Sequence, residues 1–364
     1  MADVFEYLEW RGDVPFSADP FNEVDNLVLA ELAYANFDGI LDNSFRKISL
    51  KTADKRFFET HSRDDVTAES NHIERCPLLM DGMLTGARFG GTKLTKYIDV
   101  VNADADMQIA AVTFLLDDGS AYVAFRGTDS TVVGWKEDFN MSYMPVTEGQ
   151  QSAVRYLNEV GARIDRPLRV GGHSKGGNFA VFASAFCDKA VQERIIEVYT
   201  NDGPGFRKEV MARDEYKQIL PKVISIVPDT SIIGMLLTSG AKHRIVESSA
   251  KGIGQHDGLT WKIERNRFVS AEQSVIGSFI SNSQRDWLSK IDDDSREMFV
   301  NTVFSVFEAT GAGTFGEIEK NKLRSAERML NTIKDIPKEQ RKELLNIVGE
   351  LVQSGTQMAK NHLL

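Results

Sequence analysis

Ser174 stands in the run Leu168-Arg169-Val170-Gly171-Gly172-His173-Ser174-Lys175-Gly176-Gly177-Asn178. An apolar strand pattern turns sharply at G-x-S-x-G and continues into a helical one. A strand that reverses into a helix over one residue strains that residue's backbone and leaves its side chain at the tip of the turn. Gly172 and Gly176, two places either side, have no side chains to clash across it. The backbone N–H of Lys175 then opens the helix, where first-turn donors have no intrahelical partner and face outward. A nucleophilic hydroxyl and half of an oxyanion-binding pair thus come from one short segment. The chemistry expected is acyl transfer through a serine.

A serine is a poor nucleophile without a base to take its proton and a carboxylate to orient that base. On such an elbow the chain order is serine, acid, histidine. Of the six histidines, His61 and His72 precede the first strand expected in the sheet, His173 is adjacent to the serine and points away from it, and His362 is near the C-terminal end. His243 lies within a Lys-His-Arg-Ile-Val strand pattern. His256 sits in the glycine-rich stretch Gly252-Ile253-Gly254-Gln255-His256-Asp257-Gly258 after a strand, and is the preferred base. For the acid, Asp229 follows the strand Val223–Val227 through Pro228 and is preferred. Asp202, in Asn201-Asp202-Gly203-Pro204-Gly205, is the competitor, and its glycine and proline neighbours suggest a turn former. The second oxyanion donor is expected at Thr128, where Ala124-Phe125-Arg126-Gly127-Thr128-Asp129 ends a strand with a glycine that permits close backbone approach. Arg126 is expected to anchor that loop.

These residues need a sheet edge to hold them. A helix is expected from Asn22 to Phe37, after twenty irregular residues. Residues 40–105 carry no readable pattern. Gln108–Leu116 and Ala121–Arg126 read as a β-hairpin about Asp117-Asp118-Gly119-Ser120. Thr147–Ile164 is amphipathic. Strands are expected at Leu168–Gly172, Ile195–Thr200, Lys222–Val227, Lys242–Val246 and Leu259–Ile263. Strands alternating with helices imply a largely parallel sheet covered on both faces. Beyond about Phe268 only helical patterns remain. Asp294-Ser295-Arg296-Glu297 has the form of a capping box for a helix bearing Phe299, Val303, Phe304 and Phe307, ending at Gly311. Pro337 opens another with Leu344, Val348, Leu351 and Val352. The expected organisation is one α/β domain over residues 1–268 and a helical C-terminal subdomain over 269–364. Its stripes offer a packed bundle, a cap over the site or a surface for self-association.

The 364 residues, 42% apolar and 26% charged, are those of an ordinary globular protein. A net charge of −10 argues against nucleic-acid binding through a broad basic face. Cys76 and Cys187 make no disulfide framework or metal-binding pattern. The acidic start and the shortness of every apolar run give no signal peptide or membrane span, so a cytoplasmic location is expected.

Val123-Ala124-Phe125-Arg126-Gly127-Thr128, with Trp135 and Asp138 and then Gly172-His173-Ser174-Lys175-Gly176-Gly177, resembles the class 3 lipases. As a whole the chain is similar to a group of bacterial lipase-like proteins. The resemblance spans roughly Leu27 to Ile263. It implies an α/β-hydrolase fold and cleavage of acyl esters, a small-molecule ester or lipid as substrate, and no cofactor or metal. It assigns Ser174 as nucleophile, Thr128 and Lys175 as oxyanion donors, and Asp229 and His256 as the rest of the triad. It also puts a mobile lid at Ser130–Tyr143, with Trp135, Phe139, Met141, Tyr143 and Met144 as its apolar face. The interval from Asp229 to His256 is short for the secreted fungal members, and the C-terminal helices have no counterpart. An acyltransferase, thioesterase or peptidase would use the same triad, and a non-catalytic binding protein would use the fold alone.

Overall fold

A computed structural model describes residues 2–338 and 342, apart from 70, 71, 232, 236 and scattered positions between 275 and 289. Among the described residues, eight strands form one sheet in sequence order: β1 (Ile48–Ser49), β2 (Lys93–Asn102), β3 (Met107–Leu115), β4 (Ala121–Phe125), β5 (Leu168–His173), β6 (Ile195–Asn201), β7 (Val223–Pro228) and β8 (His243–Val246). β1 to β4 pair antiparallel and β4 to β8 parallel. β3 and β4 are buried along their whole length, as strands covered on both faces must be. The hairpin, the four parallel strands and the Thr147 helix stand where the sequence places them. The helix runs over Glu148–Arg163, with Thr147 as its cap and Gln150 completing the capping box.

The parts without a readable pattern are ordered too. Residues 4–11 form helix α1, Val4–Arg11, capped by Asp3, in place of the irregular start expected. Helix α2 covers Glu23–Leu32, shorter than the Asn22–Phe37 expected, with Asn22 as N-cap and Asp25 closing the capping box. Short helices and β2 fill 50–102. The strand expected at Leu259–Ile263 is instead a 3₁₀ turn, Gly258–Thr260, followed by the two-residue β9 (Ile263–Glu264). That strand pairs with β10 (Arg267–Phe268), and its Ile263 also bridges Ala2 at the N-terminal end.

Helix α3, Val132–Asn140, follows the Thr128 loop, and helix α4 is Glu148–Arg163. Helix α5, Lys175–Phe186, is buried through Ala185, so its apolar composition on every side has a partner on every side. In the C-terminal region, helix α6 covers Asp293–Glu308. Its N-cap is Asp292, whose side chain accepts from the Ser295 N–H, so the cap lies two residues before the Asp294 expected. The helix expected after Pro337 lies outside the described residues. Among the described residues no helix is long and apolar enough to cross a membrane.

Candidate active site

The elbow forms because two strands end at one level. Ser174, between β5 and α5, has φ 55° and ψ −131°, a conformation costly for a residue with a side chain. Its N–H donates to the Asn201 carbonyl at 2.9 Å, and its carbonyl accepts from Gly177 at 2.9 Å. The flanking glycines are required by contact. A Cβ on Gly172 would lie 2.4 Å from the Phe125 carbonyl oxygen, and one on Gly176 would lie 2.0 Å from it. The end of β4 thus occupies the space that side chains would need. Gly127 is as constrained: a Cβ there would meet the Tyr34 hydroxyl at 2.1 Å and Ser174 Cβ at 3.0 Å. The Arg126–Thr128 loop therefore lies directly against the serine. Arg126 holds it there with a bidentate pair to Asp99, at 2.7 and 2.8 Å, and a bond to Asp129 at 3.0 Å.

His256 ends a 3₁₀ turn, Gly252–His256. Its Nδ1 lies 2.6 Å from Asp202 Oδ2. Asp202 is fully buried, and its other oxygen accepts from the Ser231 hydroxyl and, at 3.2 Å, from the Gly234 N–H. The carboxylate on the histidine is therefore Asp202. Asp229, preferred from the sequence, instead accepts from the Ser274 N–H at 2.5 Å. Register gives the reason. His173 pairs with Asn201 and Asn201 with Ile226, so Ser174 and Asp202 emerge from adjacent strands at one level. Asp229 lies three residues beyond Ile226, past Pro228, and has overshot that level.

Two features escaped sequence reasoning. Thr128 Oγ1 donates to Asp138 Oδ2 at 2.5 Å, so the side chain beside the serine is itself held by a carboxylate from α3. Burial pushes the Asp138 carboxyl up to about 6, against the opposing pull of Lys175 and of the Thr128 hydroxyl. The second is Lys175, whose side chain is fully buried. Its Nζ lies 3.2 Å from Glu137 Oε2, also fully buried, and Glu137 accepts in addition from the N–H groups of Gln108 and Gly149 at 2.9 and 2.8 Å. The residue after the serine thus ties α5 to α3. Glu137 and Asp138, adjacent in the run Lys136-Glu137-Asp138-Phe139, carry no sign of either pairing without the fold.

Both ring nitrogens of His173 meet partners. Its Nε2 lies 2.7 Å from the His256 carbonyl oxygen and its Nδ1 lies 2.9 Å from the Tyr34 hydroxyl. The two imidazoles pack with centroids 4.5 Å apart. His173 thereby holds the backbone of His256. Trp261 Nε1 holds the preceding carbonyl, of Gln255, at 2.9 Å. His243 bonds to Ser225 at 2.8 Å within the β7–β8 pair, away from the elbow.

The family model described as Mbeg1-like matches residues 83–305, more than half of the chain. No curated protein sequence matches. Among solved structures, the chain is similar to the native Rhizomucor miehei lipase propeptide complex, at 18% identity and TM-score 0.33 over 43% of this chain. It spans 57% of that structure's length. It is also similar to M37 lipase, at 16% identity and TM-score 0.36 over 57% of this chain and 68% of the other. For the Lip2 lipase of Yarrowia lipolytica the values are 14% and 0.32, over 50% and 72%.

Proposed function

The chain belongs to the Mbeg1-like family, and from the geometry at its elbow we propose that it is a serine carboxylic ester hydrolase. One observation carries the reading. A strained, nearly buried serine leaves β5 at the level where β6 delivers a buried carboxylate bonded to a histidine.

In this reading Ser174 Oγ attacks the ester carbonyl carbon. His256 Nε2 takes the hydroxyl proton and returns it to the leaving alcohol. Asp202 accepts the Nδ1–H, keeping Nε2 free as base and stabilising the imidazolium that forms. The N–H groups of Thr128 and Lys175 receive the oxyanion, each worth about 3 kcal/mol in the transition state. The Thr128–Asp138 bond and the Lys175–Glu137 pair hold those two donors in place. Water, activated by the same histidine, then releases the acyl group.

The test is hydrolysis of p-nitrophenyl esters from acetate to palmitate by wild type and Ser174→Ala. Loss of turnover in a folded variant supports the nucleophile, and the chain-length optimum measures the acyl site. Turnover retained in Ser174→Ala overturns the assignment. A thioester or amide cleaved in preference to every ester, or an acyl group passed to an alcohol, redirects the reading to thioesterase, peptidase or acyltransferase.

A further inference from the structure

Behind the His256 loop, three side chains converge that the ester chemistry does not use. Glu31 comes from the last turns of α2, His72 from the short helix His72–Arg75, and His173 from the elbow. One donor atom from each lies within 4.8 Å of the others. Glu31 is fully buried, and its Oε1 has no hydrogen-bond partner. The same holds for the buried Nε2 of His72. His173 Nδ1 lies 3.9 Å from Glu31 Oε1.

The tautomer of His173 is set from the far side. Its Nε2 faces the His256 carbonyl, so that nitrogen carries the proton. Nδ1 is then an acceptor, met by the Tyr34 hydroxyl at 2.9 Å and lying 3.9 Å from Glu31 Oε1. A carboxylate oxygen and an imidazole nitrogen without hydrogen-bond partners thus lie buried beside a third acceptor atom, which the Tyr34 hydroxyl meets. Such groups are costly to bury unless something positive meets them. Burial, with Asp257 close by, pushes the Glu31 carboxyl well above the usual carboxylate range, so a proton is the competing occupant.

We propose that Glu31, His72 and His173 bind one zinc-class divalent cation that fixes the His256 loop from behind. The donor set of two imidazoles and a carboxylate suits zinc, which takes three protein ligands and water in open sites. Donors around a tetrahedral zinc stand roughly 3.3 Å apart. The Glu31–His173 separation needs to contract by about half an ångström, and side-chain rotation of Glu31 and His72 supplies the rest. The ion takes the Nδ1 lone pair in place of the Tyr34 O–H. The opposite ring N–H of a ligating histidine ordinarily donates to a carbonyl or carboxylate, and here that acceptor is the backbone of His256. The cation therefore has a structural role, linking α2, the His72 helix, the elbow and the histidine loop. It takes no part in the ester reaction.

The measurement is zinc titration of metal-stripped full-length protein by calorimetry, with thermal melts and the visible spectrum of the cobalt-loaded form. Expected are one equivalent bound, a higher Tm, and a four- or five-coordinate cobalt spectrum. Glu31→Gln and His72→Gln weaken binding by more than roughly 100-fold, ligand loss exceeding the 10–100-fold typical of outer-shell changes. His61→Asn, an exposed control, leaves binding unchanged. Should a variant fail to fold, the wild-type stoichiometry and cobalt spectrum still decide. No uptake by wild type, with an unmoved Tm, overturns the proposal and leaves a proton or a water as occupant. Uptake equal in wild type and Glu31→Gln overturns it by placing the metal elsewhere. Neither result bears on the Ser174→Ala assay.

Discussion

Asp202 and Asp229 both follow parallel strands, and only register separates them. Asp202→Asn keeps the size of the side chain but removes the charge that holds Nδ1–H on His256, so kcat is expected to fall by about 10³–10⁴-fold. Asp229→Asn, whose carboxylate accepts from the Ser274 amide, is expected to change kcat less than about threefold. Equal losses in the two variants would return Asp229 to the site. A second prediction concerns protonation. Ionised Asp138 accepts from the Thr128 hydroxyl, and a protonated carboxyl becomes a donor and turns that hydroxyl. Its value of about 6 is raised, so the ionised form prevails above that pH and is lost as pH falls through it. kcat/KM is therefore expected to fall on the acid side with an inflection near 6. Asp138→Asn, which keeps an acceptor oxygen, is expected to remove that inflection. Its persistence in the variant assigns it to another group. The serine and the histidine loop were readable because each is announced by adjacent residues, glycines above all. The acid was not, because its identity depends on how far β6 and β7 extend relative to β5. That is a pairing between distant segments.

At the scale of elements, α3 is held from two sides. From below, Lys175 and Glu137 join it to α5. From above, α6 lies across it. Phe139 and Phe304 pack with centroids 5.6 Å apart, and Lys136 pairs with Glu308 at 3.0 Å. The Val132 N–H donates to the Gly313 carbonyl at 3.0 Å. Val132, Val300 and Phe304 form a small apolar cluster of their own, separate from the two larger ones on the faces of the sheet. A cluster this small opens locally before the sheet does. Phe304→Ala is expected to cost about 3 kcal/mol of local stability, which is roughly 150-fold faster amide exchange across 133–140. Exchange in α5 should be unchanged. Protection lost equally in both helices would mean that α3 opens only with the whole fold. In the segment 130–143, expected as a lid from the resemblance to the class 3 lipases, Trp135 and Phe139 are half-exposed. The sequence offered this segment as a lid, and it left the function of the C-terminal stripes open. What it could not offer is that the two meet, since each stripe needs the other to be buried. β2 was missed for a different reason. Lys96 takes φ 48° at an irregularity between Thr95 and Ile98, which breaks the two-residue alternation by which a strand is recognised.

At the scale of the molecule, the matched family region begins at residue 83, yet the first eighty residues complete it. Val4, Tyr7, Leu8, Val24, Leu27 and Val28 join β2, β3 and β4 side chains in one apolar cluster. Tyr34 reaches His173 and closes over Gly127. α2 escaped full delineation in the sequence because every residue from Val24 to Leu32 is buried, polar ones included, which blurs the stripe of an amphipathic helix. The junction is a buried ion pair. Arg88 is fully enclosed, with Nε 2.7 Å and Nη2 2.5 Å from the two oxygens of Asp25. Its remaining N–H groups donate to the carbonyls of Val14, Asp19 and Pro20, at 3.0, 3.0 and 3.1 Å. One side chain from the start of the matched region thus gathers three carbonyls of the preceding segment. Replacing a buried pair outright can be neutral, but removing one partner leaves a charge without a counterion and costs about 3–5 kcal/mol. Arg88→Ala is therefore expected to lower Tm by roughly 10 °C, taking about 2–4 °C per kcal/mol for a domain of this class. Arg88→Met with Asp25→Leu should recover part of that, because it removes the stranded charge while keeping apolar volume. If the double variant melts no higher than Arg88→Ala, the carbonyl contacts of Arg88, and not its charge on Asp25, hold the N-terminal segment to the sheet.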